Sequence, residues 1–146
     1  MLVRISAPNA KDEHYLVDVS QLREIVDEED LACRESAIIN DAYHQHWFSE
    51  GEDPVKEFAL PVIYLRHGIA KFINGRHRTL VLSKHLNAIP MAIAALQTAP
   101  FVSKAEFALN CETLSRLVIR KIKSDEVFTF PELPVEYLGF DLNLGK

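Results

Sequence analysis

The run Asn74-Gly75-Arg76-His77-Arg78-Thr79 sets a turn-forming glycine directly ahead of three consecutive basic side chains and a hydroxyl. Glycine adopts left-handed backbone at little cost and lets a ligand approach the main chain closely. Guanidinium groups pair with carboxylate or phosphate oxygens through two-point contacts, so the chemistry such a cluster suits is capture of an anion. The neighbours say where the cluster falls. Phe72-Ile73 closes a strand pattern, Leu80, Val81, Leu82 and Leu86 supply an apolar helix face, and Ile89-Pro90-Met91-Ala92-Ile93-Ala94 reads as the next strand. At a strand-to-helix junction, amides without partners and the positive end of the helix dipole favour phosphate or carboxylate. Three basic side chains at that end place positive charge where the dipole is already positive, which is unfavourable until an anion arrives. The competing explanation is structural: Arg76 and Arg78 cap acidic neighbours while His77 packs.

Chemistry beyond binding needs a carboxylate or a water-positioning group and, for phosphoryl transfer, usually a divalent ion. Glu35, Asp41 and the stretch from Glu50 to Asp53 are available, and Glu35, within Arg34-Glu35-Ser36, is the first choice as a catalytic group, although spacing pins none of them. The acidic run Asp27-Glu28-Glu29-Asp30 lacks the turn glycine and spacing of a calcium loop and reads as a solvated loop or helix end. His44 and His46 stand two apart, on different faces of a helix, so packing or pocket lining is favoured over metal ligation. Cys33 and Cys111, far apart and outside any paired motif, suggest neither a disulfide framework nor a zinc site.

At 146 residues and 48% apolar, the chain is expected to form one compact domain, residues 1–146, with a real core. A net charge of −5 argues against coating nucleic acid by bulk electrostatics and leaves room for a local basic groove. The amino terminus shows no basic-then-apolar targeting pattern, and no apolar run approaches the roughly 20 residues of a membrane span. A soluble, cytoplasmic protein is expected.

The remaining pattern mixes strands and helices. Leu2–Ser6 and His14–Val19 read as two paired strands, and Ser20 caps a short helical turn through Leu22 and Ile25. Ser36–Phe48, with Tyr43 and Trp47, reads as helical. Val62-Ile63-Tyr64-Leu65, the pair His67-Gly68 and Ile69-Ala70-Lys71-Phe72-Ile73 form a hairpin signal that delivers the chain into Asn74-Gly75. Ser103 with Glu106 is a capping-box signature opening a helical region towards Lys123, interrupted near Asn110, with Leu109, Leu114, Leu117, Val118 and Ile122 as its apolar face, for the core or a protomer contact. After Pro131 and Pro134, Val135–Phe140 reads as an edge strand or packed tail.

The order hairpin, Ile73-Asn74-Gly75-Arg76-His77-Arg78, apolar helix, Ile89-Pro90-Met91 resembles the ParB/sulfiredoxin superfamily, over roughly Pro61 to Ala95. The resemblance implies an α+β class with a small mixed sheet, helices packed around it, and a phosphate-binding turn. It implies that Gly75 admits a polyphosphate to the backbone, that Arg76 and Arg78 pair with its oxygens, that His77 donates a hydrogen bond to it, and that Thr79 assists as a helix-start hydroxyl. His77 and Glu35 are then the candidate catalytic residues. Asn74, grouped with the binding turn, stands where many members carry an acidic or small residue, which weakens any metal or base role there, and no resident metal is expected. Sulfiredoxin chemistry is set aside because Arg76 occupies the position of its reactive cysteine. No helix-turn-helix with a basic recognition helix is evident, so the chain resembles a stand-alone member of the plasmid fertility-inhibition type rather than a whole partition protein. The implied ligand is ATP or another nucleotide with magnesium, and the implied role a weak ATPase or nuclease in plasmid transfer by conjugation or related DNA processing. DNA and a second copy of the chain, as a homodimer, are compatible partners. An alternative is a non-catalytic module that inhibits a protein partner such as a secretion-system coupling ATPase, and a third is a small-molecule kinase.

Overall fold

The structure is a computed structural model and describes residues 1–6, 13–26, 47–50, 54–94, 103–123 and 125–133, with the side chains of Ser6, Glu50 and His77 outside that description. In chain order the elements are β1 (Leu2–Ser6), β2 (Glu13–Asp18), α1 (Val19–Ile25), β3 (Phe48–Glu50), β4 (Val55–Ala59), β5 (Val62–Arg66), β6 (Ile69–Asn74), α2 (Arg76–Leu82), β7 (Ala88–Ile93), α3 (Lys104–Leu117), β8 (Val118–Lys121) and β9 (Val127–Thr129). The fold is α+β, as expected, but the strands divide between two mixed sheets instead of one. One sheet has the order β3-β4-β1-β9 and the other β6-β5-β7-β2-β8.

Alternation explains the first sheet. Val3 and Ile5 of β1 are buried with Phe58 of β4, Phe48 of β3 and Phe128 of β9, while Leu2 points the other way and is exposed. Phe130 stands edge-on to Phe58 at 5.5 Å and to Phe48 at 6.2 Å, filling the space behind this face with aromatic volume. These side chains join Ile63, Leu82, Ile89 and Met91 of the second sheet and α2 in one buried cluster.

In the second sheet the central strand β7 is buried along almost its whole length, the pattern of a strand covered on both faces. Pro90 is tolerated there for a geometric reason. Ala92 and Ala94 donate to the carbonyls of Pro61 and Ile63, so Pro90 turns its donorless nitrogen to the same side, ahead of the point where β5 begins to pair.

Several expectations are corrected. β1 and β2 do not pair with each other: β1 lies parallel to β4, and β2 runs antiparallel to β7 and β8. Alternation reveals a strand but not its neighbour. The cap of α1 is Asp18, two residues before Ser20, whose carboxylate accepts from the Ser20 and Gln21 amides at 2.9 and 3.3 Å. The Ser20 hydroxyl bond, with these amides, holds that carboxyl below its usual range. Trp47 lies in a bend and Phe48 opens a strand, so the end of the helix expected over residues 36–48 is not helical, and residues 36–46 lie outside the description. The helix from Ser103 ends at Leu117 and the chain turns into β8 instead of continuing to Lys123. The acidic run 27–30 and the segment 135–140 also lie outside the described residues.

A candidate anion-binding turn

The hairpin that feeds the turn forms as its sequence requires. His67 and Gly68 both have positive φ, 52° and 74°, the mirror-image turn that matches the twist of a two-residue hairpin. The turn is then clasped by α3. Asn110, 1% exposed, accepts from the Gly68 amide at 3.2 Å and donates to the Leu65 carbonyl at 3.3 Å. Glu106 accepts from the His67 amide at 3.1 Å, so the second arm of the expected capping box reaches to the hairpin, while Ser103 still caps the helix by accepting from the Glu106 amide. Asn110 is therefore an anchor inside an unbroken helix and not an interruption of it.

At the other end of the hairpin, Val62 lies opposite Asn74 but Ile63 opposite Phe72, leaving Ile73 as an extra residue in β6. Such a bulge bends the strand and re-aims the chain beyond it. Two residues on, Gly75 stands at φ 88° and ψ 19° as the N-cap of α2, without any capping side chain. A Cβ on Gly75 would stand 2.6 Å from Nη2 of Arg78 and 2.7 Å from both Cα and Cβ of Pro61. Backbone conformation and packing thus each demand glycine here. The first intrahelical bond runs from the Thr79 amide to the Gly75 carbonyl at 2.9 Å, which leaves the amides of residues 76–78 without intrahelical acceptors.

Arg78 is the unusual member of the cluster. Its side chain is 8% exposed and folds beneath the turn, where Nη2 donates to the Leu60 carbonyl at 3.0 Å. Nε is buried without a hydrogen-bond partner. Among the described residues no carboxylate pairs with this guanidinium, and burial alone pulls its pKa down to about 10. It remains charged at neutral pH, so a positive charge without a carboxylate partner among the described residues sits under Gly75. Thr79, 3% exposed, donates its hydroxyl to the Gly75 carbonyl at 2.8 Å, a local brace in place of the expected hydroxyl presented to a ligand. Arg76 is half-buried at the first helical position, and Asn74 is exposed at the strand end.

The structure therefore draws Gly75, Arg78 and Thr79 into one packed knot and leaves Asn74 at its rim. The expectation of two flanking arginines is altered, because Arg78 is directed inward. Glu35 and the side chain of His77 lie outside the described residues, as do Asp41 and residues 51–53. Sequence reasoning missed Leu60 and Pro61. Their signal was available in Pro61, a proline one residue ahead of a strand, whose ring and backbone form the wall against Gly75.

Two clefts lined by described residues lie elsewhere. One of about 620 Å³ is bordered by Arg120, Lys123, Asp125 and Glu126, where Arg120 and Glu126 form an ion pair. Another of about 450 Å³ is bordered by residues that include Asp18, Arg23, Ser83 and Asn87, where Nη2 of Arg23 donates to the Ser83 hydroxyl at 2.8 Å. Among the described residues no three His, Cys, Asp or Glu side chains are grouped to hold a metal ion, and no helix is long and apolar enough to cross a membrane. Comparison of the chain with protein-family models, curated proteins and solved structures gives no match.

Proposed function

We propose that this chain is a stand-alone ParB/sulfiredoxin-like protein that binds the phosphate groups of a nucleotide at the turn Gly75–Thr79. The observation that carries the proposal is the Arg78 guanidinium, buried beneath the turn without a carboxylate partner among the described residues. A buried charge left unpaired is costly by several kcal/mol, and an anion seated on the turn is the natural compensation. The order β6, glycine turn, α2, β7 agrees with the reading, as do the amides of residues 76–78 that lack intrahelical acceptors. Arg76 and His77 are the residues proposed to meet the phosphate from outside, with Arg78 supplying charge from below. The cellular role implied by the resemblance is cytoplasmic DNA processing such as plasmid transfer, with Glu35 and His77 as the groups for any hydrolysis.

A melting series with ATP, ADP, CTP and inorganic phosphate, each with and without magnesium, tests the reading. A rise in melting temperature with at least one nucleotide is expected. An unchanged melting temperature with all four would remove the reading in favour of a module that works by protein contact alone.

A further inference from the structure

α2 starts at the Gly75 turn, and Ser83 at its far end borders the cleft of about 450 Å³. That volume lies within the range of small-molecule sites. Nη2 of Arg23 donates to the Ser83 hydroxyl at 2.8 Å, that hydroxyl donates to the Leu80 carbonyl at 2.7 Å, and the Val19 amide donates to the Asn87 carbonyl at 3.0 Å. These bonds fix α1 against the end of α2. Buried Val19 and Leu86 supply apolar lining, and Ile119 of β8, 52% exposed, borders the same cleft. Leu16 lies opposite Arg120 but Val17 opposite Val118, so Ile119 is the extra residue of a bulge, which re-aims its side chain.

Asp18 and Arg23 are the charged residues that border the cleft among those described, and they do not pair with each other. Arg23 spends one Nη2 donor on Ser83 and meets no carboxylate, which leaves Nε and Nη1 available. Asp18 accepts through Oδ1 from the Ser20 amide and hydroxyl and the Gln21 amide, and its Oδ2 is open. Its carboxyl is held below the usual range, so it is ionised at neutral pH. The α1 amides are already spent on that cap.

We infer that the cleft between α1, the end of α2 and β8 binds a free α-amino acid with an apolar side chain. The Arg23 guanidinium takes its carboxylate through a two-point contact, Oδ2 of Asp18 takes its ammonium, and its side chain lies against Leu86 and Ile119. The exposed Asn87 side chain, without a partner among the described residues, offers a further donor and acceptor. A plain anion is opposed here by Asp18 and a plain cation by Arg23, whereas a zwitterion satisfies both. The ligand class differs from that proposed at Gly75, and neither site depends on the other.

Amide correlation NMR spectra of the full chain titrated with L-leucine test this. Saturable shifts clustered at residues 18–23, 83–88 and 119 are expected. N-acetyl-L-leucine, which lacks the ammonium, L-leucinamide, which lacks the carboxylate, and glycine, which lacks the side chain, are each expected to bind about fivefold to tenfold more weakly. Arg23→Gln is expected to weaken L-leucine to the same extent. Asp18→Asn keeps a good helix cap while removing the charge, so it is expected to weaken L-leucine similarly and leave N-acetyl-L-leucine unaffected. Circular dichroism melts check that both variants fold. No saturable shift with L-leucine, shifts centred away from the cleft, or folded variants that bind it like the parent would overturn the inference. N-acetyl-L-leucine binding as tightly as L-leucine would also overturn it, making the cleft a dock for the carboxylate end of a peptide. Nucleotide melts read the Gly75 turn and these titrations read the cleft, so failure of one leaves the other standing.

Discussion

Arg78 donates from Nη2 to the main-chain carbonyl of Leu60 at 3.0 Å, and this bond ties the start of α2 to the segment that leads into β5. The guanidinium is sealed between that carbonyl and Gly75, so its charge is a fixed feature of the fold. Arg78→Met keeps the apolar stem and removes the charge. The lost bond costs about 1.5–3 kcal/mol and the relieved desolvation offsets much of it, so stability by urea titration is expected to stay within about 1 kcal/mol of the parent.

The same charge has a signature in alkali. Burial lowers the folded pKa of Arg78 to about 10, below that of the unfolded chain, so between these values the unfolded state holds more protons. The contribution of Arg78 is therefore destabilising and constant below about pH 10, and stability gains from its deprotonation as pH rises further. Tyr15 acts in the opposite sense. Burial first, then its hydrogen bond to Glu13 and the charge of that carboxylate, push its pKa up to about 12. Its stabilising contribution is complete below the ordinary tyrosine value near 10 and is lost as pH approaches 12. Tyr15→Phe is expected to remove that alkaline loss, measured as the difference in urea midpoint between the two proteins across this range.

Gly75→Ala forces a side chain into left-handed backbone and against the Pro61 main chain. The expected cost is about 2–4 kcal/mol, the sum of the backbone and overpacking terms. A calorimetric melt should show the midpoint lowered by roughly 6–12 °C. A melt indistinguishable from the parent would mean the turn is not packed as described.

Asn110→Ala deletes both partners of the hairpin turn and leaves the Gly68 amide and the Leu65 carbonyl buried or half-buried without them. A loss of about 2–4 kcal/mol is expected by urea denaturation. Amide hydrogen exchange at Gly68 and in the β5–β6 hairpin should accelerate with it.

The strand-turn-helix-strand unit around Gly75 was legible because its signals are local: a two-residue turn at His67-Gly68, a glycine ahead of a helix, and an apolar strand after it. The capping role of Ser103 was legible for the same reason. What the sequence did not disclose depends on contacts between distant residues. Nothing near Asn110 says that a hairpin turn lies over it, so a polar residue mid-helix read as a break. Nothing near Arg78 says that Leu60 waits eighteen residues back, so an arginine in a basic cluster read as facing solvent. Pairing of β1 with β4 and β9 likewise depends on segments more than fifty and more than a hundred residues away.

Isothermal titration calorimetry with the nucleotide that raises the melting temperature, run on the parent chain and on Arg78→Met, tests the central claim most directly. The account predicts one saturable site on the parent and an affinity about tenfold to a hundredfold weaker on the variant, the loss of one charge-assisted interaction. Equal affinity for the two proteins would contradict it, because the charge beneath Gly75 would then take no part in holding the ligand.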